Sequence, residues 1–205
     1  MRILVAVPCM DLVPAPFAFS LAHLRKEGEC VLTMKAGALV YVARNNLVAD
    51  AIRFGADWIF WLDSDMTFAP DTLTKMLKRA QENNYDILSG IYFRRVPPYS
   101  PVLFDKMELD DRGILTWTEF KEIPDEPFEI GGAGFGCMLT KMNVFYDIQQ
   151  KHGTIFNPIG NHGEDLAFCI RARKCGYKIY ADPDVKCGHV GHAVVDEKYF
   201  LGAKE

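Results

Sequence analysis

The apolar and polar residues of the first 92 positions alternate in blocks that predict strands and helices in turn. Apolar runs of the kind found in strands covered on both faces lie at residues 3–7, 30–34, 58–62 and 87–92. Between them, apolar residues recur at the three- and four-residue spacing of amphipathic helices, over residues 17–27, 44–54 and 70–82. This alternation predicts an α/β fold with a mostly parallel central sheet flanked by helices. A ligand crevice is expected at the carboxyl edge of the strands.

The second half of the chain has a different pattern. Residues 93–127 combine prolines, scattered charges and short aromatic runs, which predict a smaller β-rich insertion over the crevice. The glycine run 131–136 precedes an apolar segment, whereas a dinucleotide fingerprint follows a strand, so we expect a close approach to a ligand or a flexible turn. Helices are predicted over residues 140–151 and 161–174, and a strand over 177–181.

Composition and charge narrow the class of protein. The chain has 205 residues, which one domain accommodates, and its net charge of -4 argues against nucleic acid as the main partner. Its six cysteines form no CxxC pair, which favours reduced thiols and a cytoplasmic location. No apolar run reaches the roughly 18 residues that a transmembrane helix needs. We therefore expect no transmembrane segment, and any membrane contact would be peripheral.

Two carboxylates stand where the most apolar strand should end. Asp63 and Asp65 follow the run 58–62, and uncompensated carboxylates beside a buried strand are costly. A hard divalent cation would cancel their repulsion and leave positions free for phosphate oxygens. The alternative is structural, with one aspartate capping the helix that begins near Pro70 and the other solvated.

A second acidic pair, Glu164 and Asp165, lies at the start of the last predicted helix. Asn161 and Glu164 have the spacing of a capping box, which explains Glu164 alone or alongside a ligand role. It does not explain Asp165.

The basic residues near the predicted crevice are open to two interpretations. Arg44 lies at the start of a predicted helix, where a positive charge opposes the macrodipole, so either a bound phosphate or ordinary surface exposure would accommodate it. Arg94 and Arg95 follow a strand edge and could also meet phosphate, although a solvated loop is the preferred interpretation.

Several segments, taken in order, resemble the GT-A fold glycosyltransferases, in particular the large inverting group related to family two. The segments that carry this resemblance are residues 5–8, 43–46, 58–65, 132–138, 163–165, 171–173 and 187–189. The resemblance covers nearly the whole chain and implies a Rossmann-like GT-A sheet within one domain, 1–205. Residues 1–92 would form the nucleotide-binding half and residues 93–192 the acceptor-side half.

On the donor side, the resemblance implies a nucleoside-diphosphate sugar, with a UDP-sugar as the first expectation. Many members carry an acidic residue that reads uracil after the second strand, where this chain has Met34 and Lys35. The cation would be Mn²⁺ or Mg²⁺. Its expected ligands are Asp63, Asp65 and His189, with His192 as the second choice of histidine. The residues expected around the donor are Pro8, Arg44, Asp63, Ser64 and Asp65.

On the acceptor side, the resemblance implies that Asp165, with Glu164 beside it, acts as the general base on an acceptor hydroxyl. The acceptor would be a glycan, a protein or a small molecule. The glycine run 132–136 would line the acceptor side, and Trp117 or Tyr99 would stack on a sugar face.

Three alternatives to this interpretation remain open on the sequence alone. Residues 63–67 also match the D-x-D-x-T motif of haloacid-dehalogenase-like phosphatases, in which Asp63 would be the nucleophile. A non-catalytic sugar-nucleotide-binding module would keep the fold without the chemistry. Cys187, His189 and His192 would be zinc ligands in a third alternative, although three ligands within six residues rarely close a tetrahedral site.

Overall fold

A computed structural model of the chain describes residues 1–191 and 194–202. The helices are α1 (Ala15–His23), α2 (Val40–Phe54), α3 (Thr72–Asn83), α4 (Met142–His152), α5 (Glu164–Lys174) and α6 (Glu197–Gly202). The strands are β1 (Arg2–Pro8), β2 (Glu29–Lys35), β3 (Trp58–Leu62), β4 (Met66–Thr67), β5 (Ile87–Ile91), β6 (Leu103–Leu109), β7 (Leu115–Glu119), β8 (Phe128–Ile130), β9 (Gly132–Ala133), β10 (Cys137–Lys141), β11 (Ile179–Lys186), β12 (Gly188–Val190) and β13 (Val194–Val195).

The central sheet has the strand order β2-β1-β3-β10-β5-β11-β8. Neighbours β2, β1 and β3 are parallel, as are β5 and β11, whereas β10 is antiparallel to both β3 and β5. Strand β8 is antiparallel to β11 at the edge. The predicted mostly parallel α/β fold is therefore confirmed. Because β1 and β3 are adjacent and parallel, their carboxyl ends bring Pro8 and the Asp63 segment to the same edge of the sheet.

Apolar side chains cover both faces of this sheet, which explains why its inner strands read as continuous apolar runs. One cluster packs α2, α4 and α5 against one face, and the other packs α1 and α3 against the opposite face. All five residues of β3 are buried, as are all five of β5. The motif after β3 is thus held by a strand that is fixed on both faces.

Two small three-stranded sheets extend from the central one on the carboxyl side. Strand β4, directly after the aspartate motif, pairs with β12, which pairs in turn with β13. The insertion predicted over residues 93–127 contains the antiparallel pair β6 and β7, and β6 also pairs with β9. The first sheet ties the end of the chain to the aspartate motif. The second carries the β-rich insertion.

Several helix boundaries differ from the prediction. Helix α1 ends at His23, four residues before the predicted end. Helix α2 begins at Val40, so Arg44 lies in its second turn and not at its start. The predicted stops at Gly55 and Gly153 are confirmed, because both have the positive φ angles, 68° and 69°, that glycine adopts without strain.

Two predicted helix caps are wrong. Thr140 lies in β10, and α4 begins at Met142 after Lys141. Helix α5 is capped at Gly163, without a side-chain hydrogen bond, so Asn161 and Glu164 do not form a capping box. The strand predicted over residues 177–181 is longer than expected: it is β11, which runs over Ile179–Lys186. Glu164 is therefore free of the structural role that the sequence offered for it.

Among residues 1–191 and 194–202, no helix is both long enough and apolar enough to cross a lipid bilayer.

Candidate active site

A pocket of about 240 Å³ opens at the carboxyl edge of β1 and β3. It lies where the crevice was predicted and contains most of the predicted site residues. The predicted donor and acceptor residues that line it are Pro8, Arg44, Asp63, Ser64, Asp65, Glu164 and Asp165. Cys9, Met10, Ala38, Val40 and Ala43 complete its wall. Four separate parts of the sequence thus meet at one opening.

Arg44 joins two of these parts. Its Nη2 donates to Asp63 Oδ1 at 2.7 Å, and its Nε donates to Glu164 Oε1 at 3.1 Å. Only 2% of the Arg44 side chain is exposed, so the expected alternative of ordinary surface exposure is wrong. We call Arg44, Asp63, Glu164 and Asp165 the Arg44 cluster. It links the strand that carries the aspartate motif to the helix that carries the acidic pair.

The surroundings of Arg44 explain how a buried guanidinium is tolerated. Its central carbon lies 5.0 Å from the ring centre of Phe135 and 5.8 Å from that of Trp61, within the range of cation–π contacts. Burial opposes its charge, but Asp63 and Glu164 outweigh burial and raise the pKa of Arg44. Arg44 Nη1 is buried and has no hydrogen-bond partner among the described residues. Beside the pocket that Arg44 lines, one buried donor is therefore left without a partner.

Asp165 is the carboxyl group whose environment most favours proton transfer near neutral pH. Burial and the adjacent Glu164 charge raise its pKa from 3.8 to about 6, against the opposing effects of the Leu166 N–H and Arg44. The Leu166 N–H donates to Asp165 Oδ1 at 2.7 Å, which fixes the orientation of the carboxyl group. A pKa near the working pH suits a general base.

Asp65 has entirely different partners. His189 Nε2 lies 3.3 Å from Asp65 Oδ2, and Arg95 Nη1 lies 3.1 Å from the same oxygen. Burial raises the pKa of Asp65, but His189 and Arg95 outweigh burial, so that the pKa is lowered overall. We call Asp65, His189 and Arg95 the Asp65 cluster. Arg95 lies in the loop after β5 and is 48% exposed, as the solvated-loop interpretation expects, and it also donates to the Val190 carbonyl oxygen.

The donor set of the Asp65 cluster fits a divalent cation. His189 Nδ1 lies 2.8 Å from the Phe93 carbonyl oxygen, which can only accept, so Nδ1 carries a proton. In the neutral ring, Nε2 is then an acceptor, and it faces an oxygen of the Asp65 carboxylate, which is also an acceptor. Two acceptors this close need a proton or a cation between them. A histidine whose second nitrogen donates to a carbonyl is the usual arrangement of a metal ligand.

Asp63 does not join this donor set in the structure. Its carboxylate faces Arg44, and within the described residues no three His, Cys, Asp or Glu side chains converge on a preformed metal site. His192, the second choice of histidine, lies outside the described residues. Cys187 lies in the apolar cluster that also contains Cys137, which disfavours the zinc alternative.

The glycine run does not line the pocket as predicted. Residues 131–136 are all buried, and the close approaches seen in the structure are to other parts of the protein. A Cβ at Gly134 would lie 2.1 Å from the Tyr92 hydroxyl, and one at Gly136 would lie 2.7 Å from the Tyr92 ring. The Gly136 N–H donates to that hydroxyl at 3.2 Å. The run therefore positions Tyr92 beneath the aspartate motif.

Sequence reasoning missed two features of the site. The first is Tyr92, which the sequence pattern gives only as the last residue of a predicted strand. Burial, together with the charges of Asp63 and Asp165, raises the pKa of Tyr92 well above its ordinary value. The link between Arg44 and Glu164 joins residues that are 120 positions apart. No local pattern signals such a contact. For Tyr92, the available signal was its position: it is an aromatic residue at the predicted end of a strand, next to the predicted crevice.

Comparison with known proteins identifies the family. The family model described as "Glycosyl transferase family 2" matches residues 39–148, more than half of the chain. A curated relative is the mannan polymerase I complex VAN1 subunit of Saccharomyces cerevisiae, which is 23% identical over 193 residues. The match covers 80% of this chain and 35% of the relative, so the chain spans about a third of that protein's length.

Two solved structures share the fold. The crystal structure of protein A197 from STIV superimposes with a TM-score of 0.69 and 20% identity, over 93% of this chain and 86% of that one. GalNAc-T7, crystallised with UDP, GalNAc and Mn²⁺, gives a TM-score of 0.59 and 10% identity, over 91% of this chain and 43% of that one. The sheet and the flanking helices are those of a GT-A fold. With this fold and the family match, the chain belongs to glycosyl transferase family 2.

Proposed function

We propose that the chain transfers a sugar from a nucleoside-diphosphate sugar to an acceptor hydroxyl, with a divalent metal ion and with inversion at the anomeric carbon. The observation that supports this most directly is the meeting of the Arg44 cluster and the Asp65 cluster at one pocket. The first contains a carboxyl group suited to take a proton, and the second a donor set suited to a cation. The family match favours this function over the phosphatase alternative.

On the donor side, the base and ribose would lie against the pocket wall formed after β1 and at the start of α2. Arg44 lines this wall, and its positive charge would attract the phosphate oxygens of the nucleotide. Pro8, Ser64 and Val40 would shape the opening. We keep a UDP-sugar as the first expectation, in line with the UDP found with GalNAc-T7.

Asp65 and His189 would hold Mn²⁺ or Mg²⁺, and their present contact supports this assignment. Asp63 would approach the cation only through a change in its contact with Arg44, so we propose it as a ribose-side or outer ligand. When bound, the cation would offset the negative charge that develops on the departing diphosphate. Arg95, which pairs with Asp65, would contact the same phosphates.

On the acceptor side, Asp165 would accept the proton of the attacking hydroxyl. As that oxygen bonds to the anomeric carbon, the bond from that carbon to the diphosphate breaks and the electron pair leaves with the phosphate oxygen. Displacement from the opposite face gives inversion. Glu164 keeps the pKa of Asp165 high and, through Arg44, ties the base to the donor side.

The partners that we propose are a nucleotide-sugar donor and a glycan, protein or small-molecule acceptor. The relative in a mannan polymerase complex makes a carbohydrate acceptor the first of these to test. We do not expect nucleic acid as a partner, and we propose a cytoplasmic location for the catalytic domain.

The test is a thermal-shift measurement with UDP, GDP, CDP and TDP, each with and without Mn²⁺. We expect one diphosphate to raise the melting temperature only when metal is present, because binding to the folded state stabilises it. Asp65→Ala should remove the metal-dependent part, and His189→Ala should weaken metal affinity by about 10- to 100-fold or more. His23→Ala, at an exposed histidine at the end of α1, is the control. Stabilisation by no diphosphate, together with Mg²⁺-dependent phosphatase activity that Asp63→Asn removes, would favour the phosphatase alternative.

A further inference from the structure

Strand β7 is the edge strand of the small sheet β7-β6-β9 in the insertion. Each of its ends contacts a residue close in sequence to one of the two clusters. At its carboxyl end, Glu119 pairs with Arg94 at 2.8 Å, and the next residue, Arg95, pairs with Asp65. At its amino end, the Leu115 N–H donates to His162 Nε2 at 3.3 Å. His162 stands two residues before Glu164. The strand therefore reaches from the Asp65 side of the crevice to the helix of the proposed base.

The middle of this strand presents an exposed aromatic side chain. Trp117 is 43% exposed, whereas the other two tryptophans, Trp58 and Trp61, are 6% and 0% exposed. Phe104 and His162 contact its ring at steep interplanar angles of 73° and 85°, so neither ring stacks on it. In the part of the chain that the structure describes, the indole N–H has no hydrogen-bond partner. Both an apolar surface and a donor are thus available.

His162 adds a second donor beside Trp117. Because Nε2 accepts the Leu115 N–H, the neutral ring carries its proton on Nδ1. No described residue accepts a hydrogen bond from Nδ1. An aromatic surface next to two N–H donors matches the chemistry of a sugar ring, which has an apolar C–H face and hydroxyl groups at its rim.

We propose that β7 is an acceptor track, on which Trp117 and His162 bind a sugar ring of a carbohydrate acceptor. This inference rests on the proposed function, since it assigns the acceptor class to the same site. Trp117 binds the apolar face of the ring, and His162 Nδ1 donates to one of its hydroxyl groups. The contacts at the two ends of β7 link the bound sugar's strand to the segment of Arg95, which pairs with Asp65, and to His162, three residues before Asp165.

A peptide strand fits this edge less well than a sugar does. A peptide that pairs with an edge strand needs a regular series of free N–H and C=O groups along it. His162 already takes the Leu115 N–H on the open side of β7. The Thr118 hydroxyl accepts from the Lys106 N–H of β6, so it is turned inward and does not serve a strand partner. The interrupted edge therefore favours carbohydrate.

The experiment uses the intact protein and a fixed panel of sugars. The panel contains the methyl α- and β-glycosides of glucose, galactose, mannose and N-acetylglucosamine, with the corresponding disaccharides. Saturation-transfer NMR measures sugar binding, and acrylamide quenching of tryptophan fluorescence measures protection of Trp117, because the other two tryptophans are buried. We expect at least one sugar to bind and to reduce quenching, and Trp117→Ala to weaken that binding by about ten-fold.

Matched variants separate a direct contact from a structural effect. Trp117→Phe keeps a stacking ring and should retain most of the binding while losing the fluorescence response. Tyr146→Ala removes another half-exposed aromatic side chain, on α4, and should change neither signal. His162→Ala should weaken binding, with unchanged metal-dependent stabilisation by the nucleotide.

Two results would overturn the acceptor track while leaving the donor site intact. One is metal-dependent nucleotide binding with no sugar of the panel protecting Trp117. The other is protection of Trp117 by extended peptides and not by sugars. Loss of nucleotide binding itself would instead contradict the proposed function, so the two failures are distinguishable.

Discussion

The two aspartates of the motif after β3 lie two residues apart, yet their surroundings differ. Asp63 belongs to the Arg44 cluster, whose guanidinium is 2% exposed and pairs with two carboxylates. Asp65 belongs to the Asp65 cluster, whose arginine is 48% exposed and whose histidine presents a ring nitrogen to a carboxylate oxygen. The first cluster is held by aromatic packing and by two ion pairs. The second holds an acceptor pair that a cation would complete.

This difference suggests two roles: we propose that the Arg44 cluster is structural and that the Asp65 cluster binds ligands. Buried charges must be paired to be tolerated, so the ion pairs of Arg44 hold the end of β3 and the start of α5 together. Half-exposed charges exchange partners at little cost, so the Asp65 cluster can release Arg95 when a cation and phosphates enter. The comparison predicts that substitutions in the two clusters act on different measurable quantities.

The largest effect is expected at Asp165. Asp165→Asn should lower the rate of sugar transfer by about 10²- to 10⁴-fold, the usual contribution of a positioned general base. Nucleotide binding should remain, because the proposed metal ligands Asp65 and His189 are untouched. Transfer kinetics and the thermal shift with nucleotide measure the two properties separately. Transfer at the normal rate would show that Asp165 is not the base.

The same variant should be more stable than the parent protein at neutral pH. Folding raises the pKa of Asp165 from 3.8 to about 6, so its favourable contribution exists below pH 3.8 and is lost as the pH rises through 6. At pH 7 the ionised, buried carboxylate costs on the order of 2–3 kcal/mol, which the neutral amide avoids. Urea unfolding should show this gain at pH 7 and a smaller gain at pH 4.

A smaller effect, on stability, contrasts the two arginines. Arg44→Met leaves Asp63 and Glu164 without their buried partner and should reduce the free energy of unfolding by about 3–5 kcal/mol. Arg95→Met removes a half-exposed pair and should cost less than about 1 kcal/mol. Urea unfolding of both variants at pH 7 measures the difference. Equal losses would contradict the distinction between the two clusters.

Much of the fold was predictable because its signals are local. The apolar runs of β1, β3 and β5 and the spacing in α2 and α3 follow from burial on one or both faces, and glycine marked the ends of α2 and α4. The failed caps show the limit of local rules. Thr140 lies in β10 because it pairs with Ile59 and Ile87 of the neighbouring strands. These pairings are long-range, so a local capping pattern cannot predict them.

The site was predictable in its residues and less so in its contacts. The order of the motifs singled out Asp63, Asp65, Asp165 and His189; the first three line the pocket in the structure, and His189 contacts Asp65 from outside its lining. Their pairing was not predictable, because Arg44 reaches Glu164 only after α2 and α5 have packed on the same face of the sheet. The partners of the glycine run were not predictable for the same reason, since Gly134 and Gly136 approach Tyr92 only in the folded chain.

The smallest expected effect is a shift in pH dependence caused by Glu164. The Glu164 charge raises the pKa of Asp165, while Arg44 lowers it. Glu164→Gln removes the first influence and leaves Arg44 with one carboxylate fewer, so both changes lower the pKa of Asp165. The acidic limb of the pH profile of kcat/KM, expected near pH 6 in the parent protein, should therefore move to lower pH.

Glu129→Gln is the matched control, because it also removes a paired carboxylate, at an exposed site on β8. It should leave the profile unchanged. A shift of the Glu164→Gln profile to higher pH would contradict the assigned electrostatics. Loss of transfer at every pH would make Glu164 the base and not its neighbour. A shift to lower pH with transfer retained would support a scaffold that keeps Asp165 basic enough to take a proton, at the cost in stability that the Asp165→Asn variant measures.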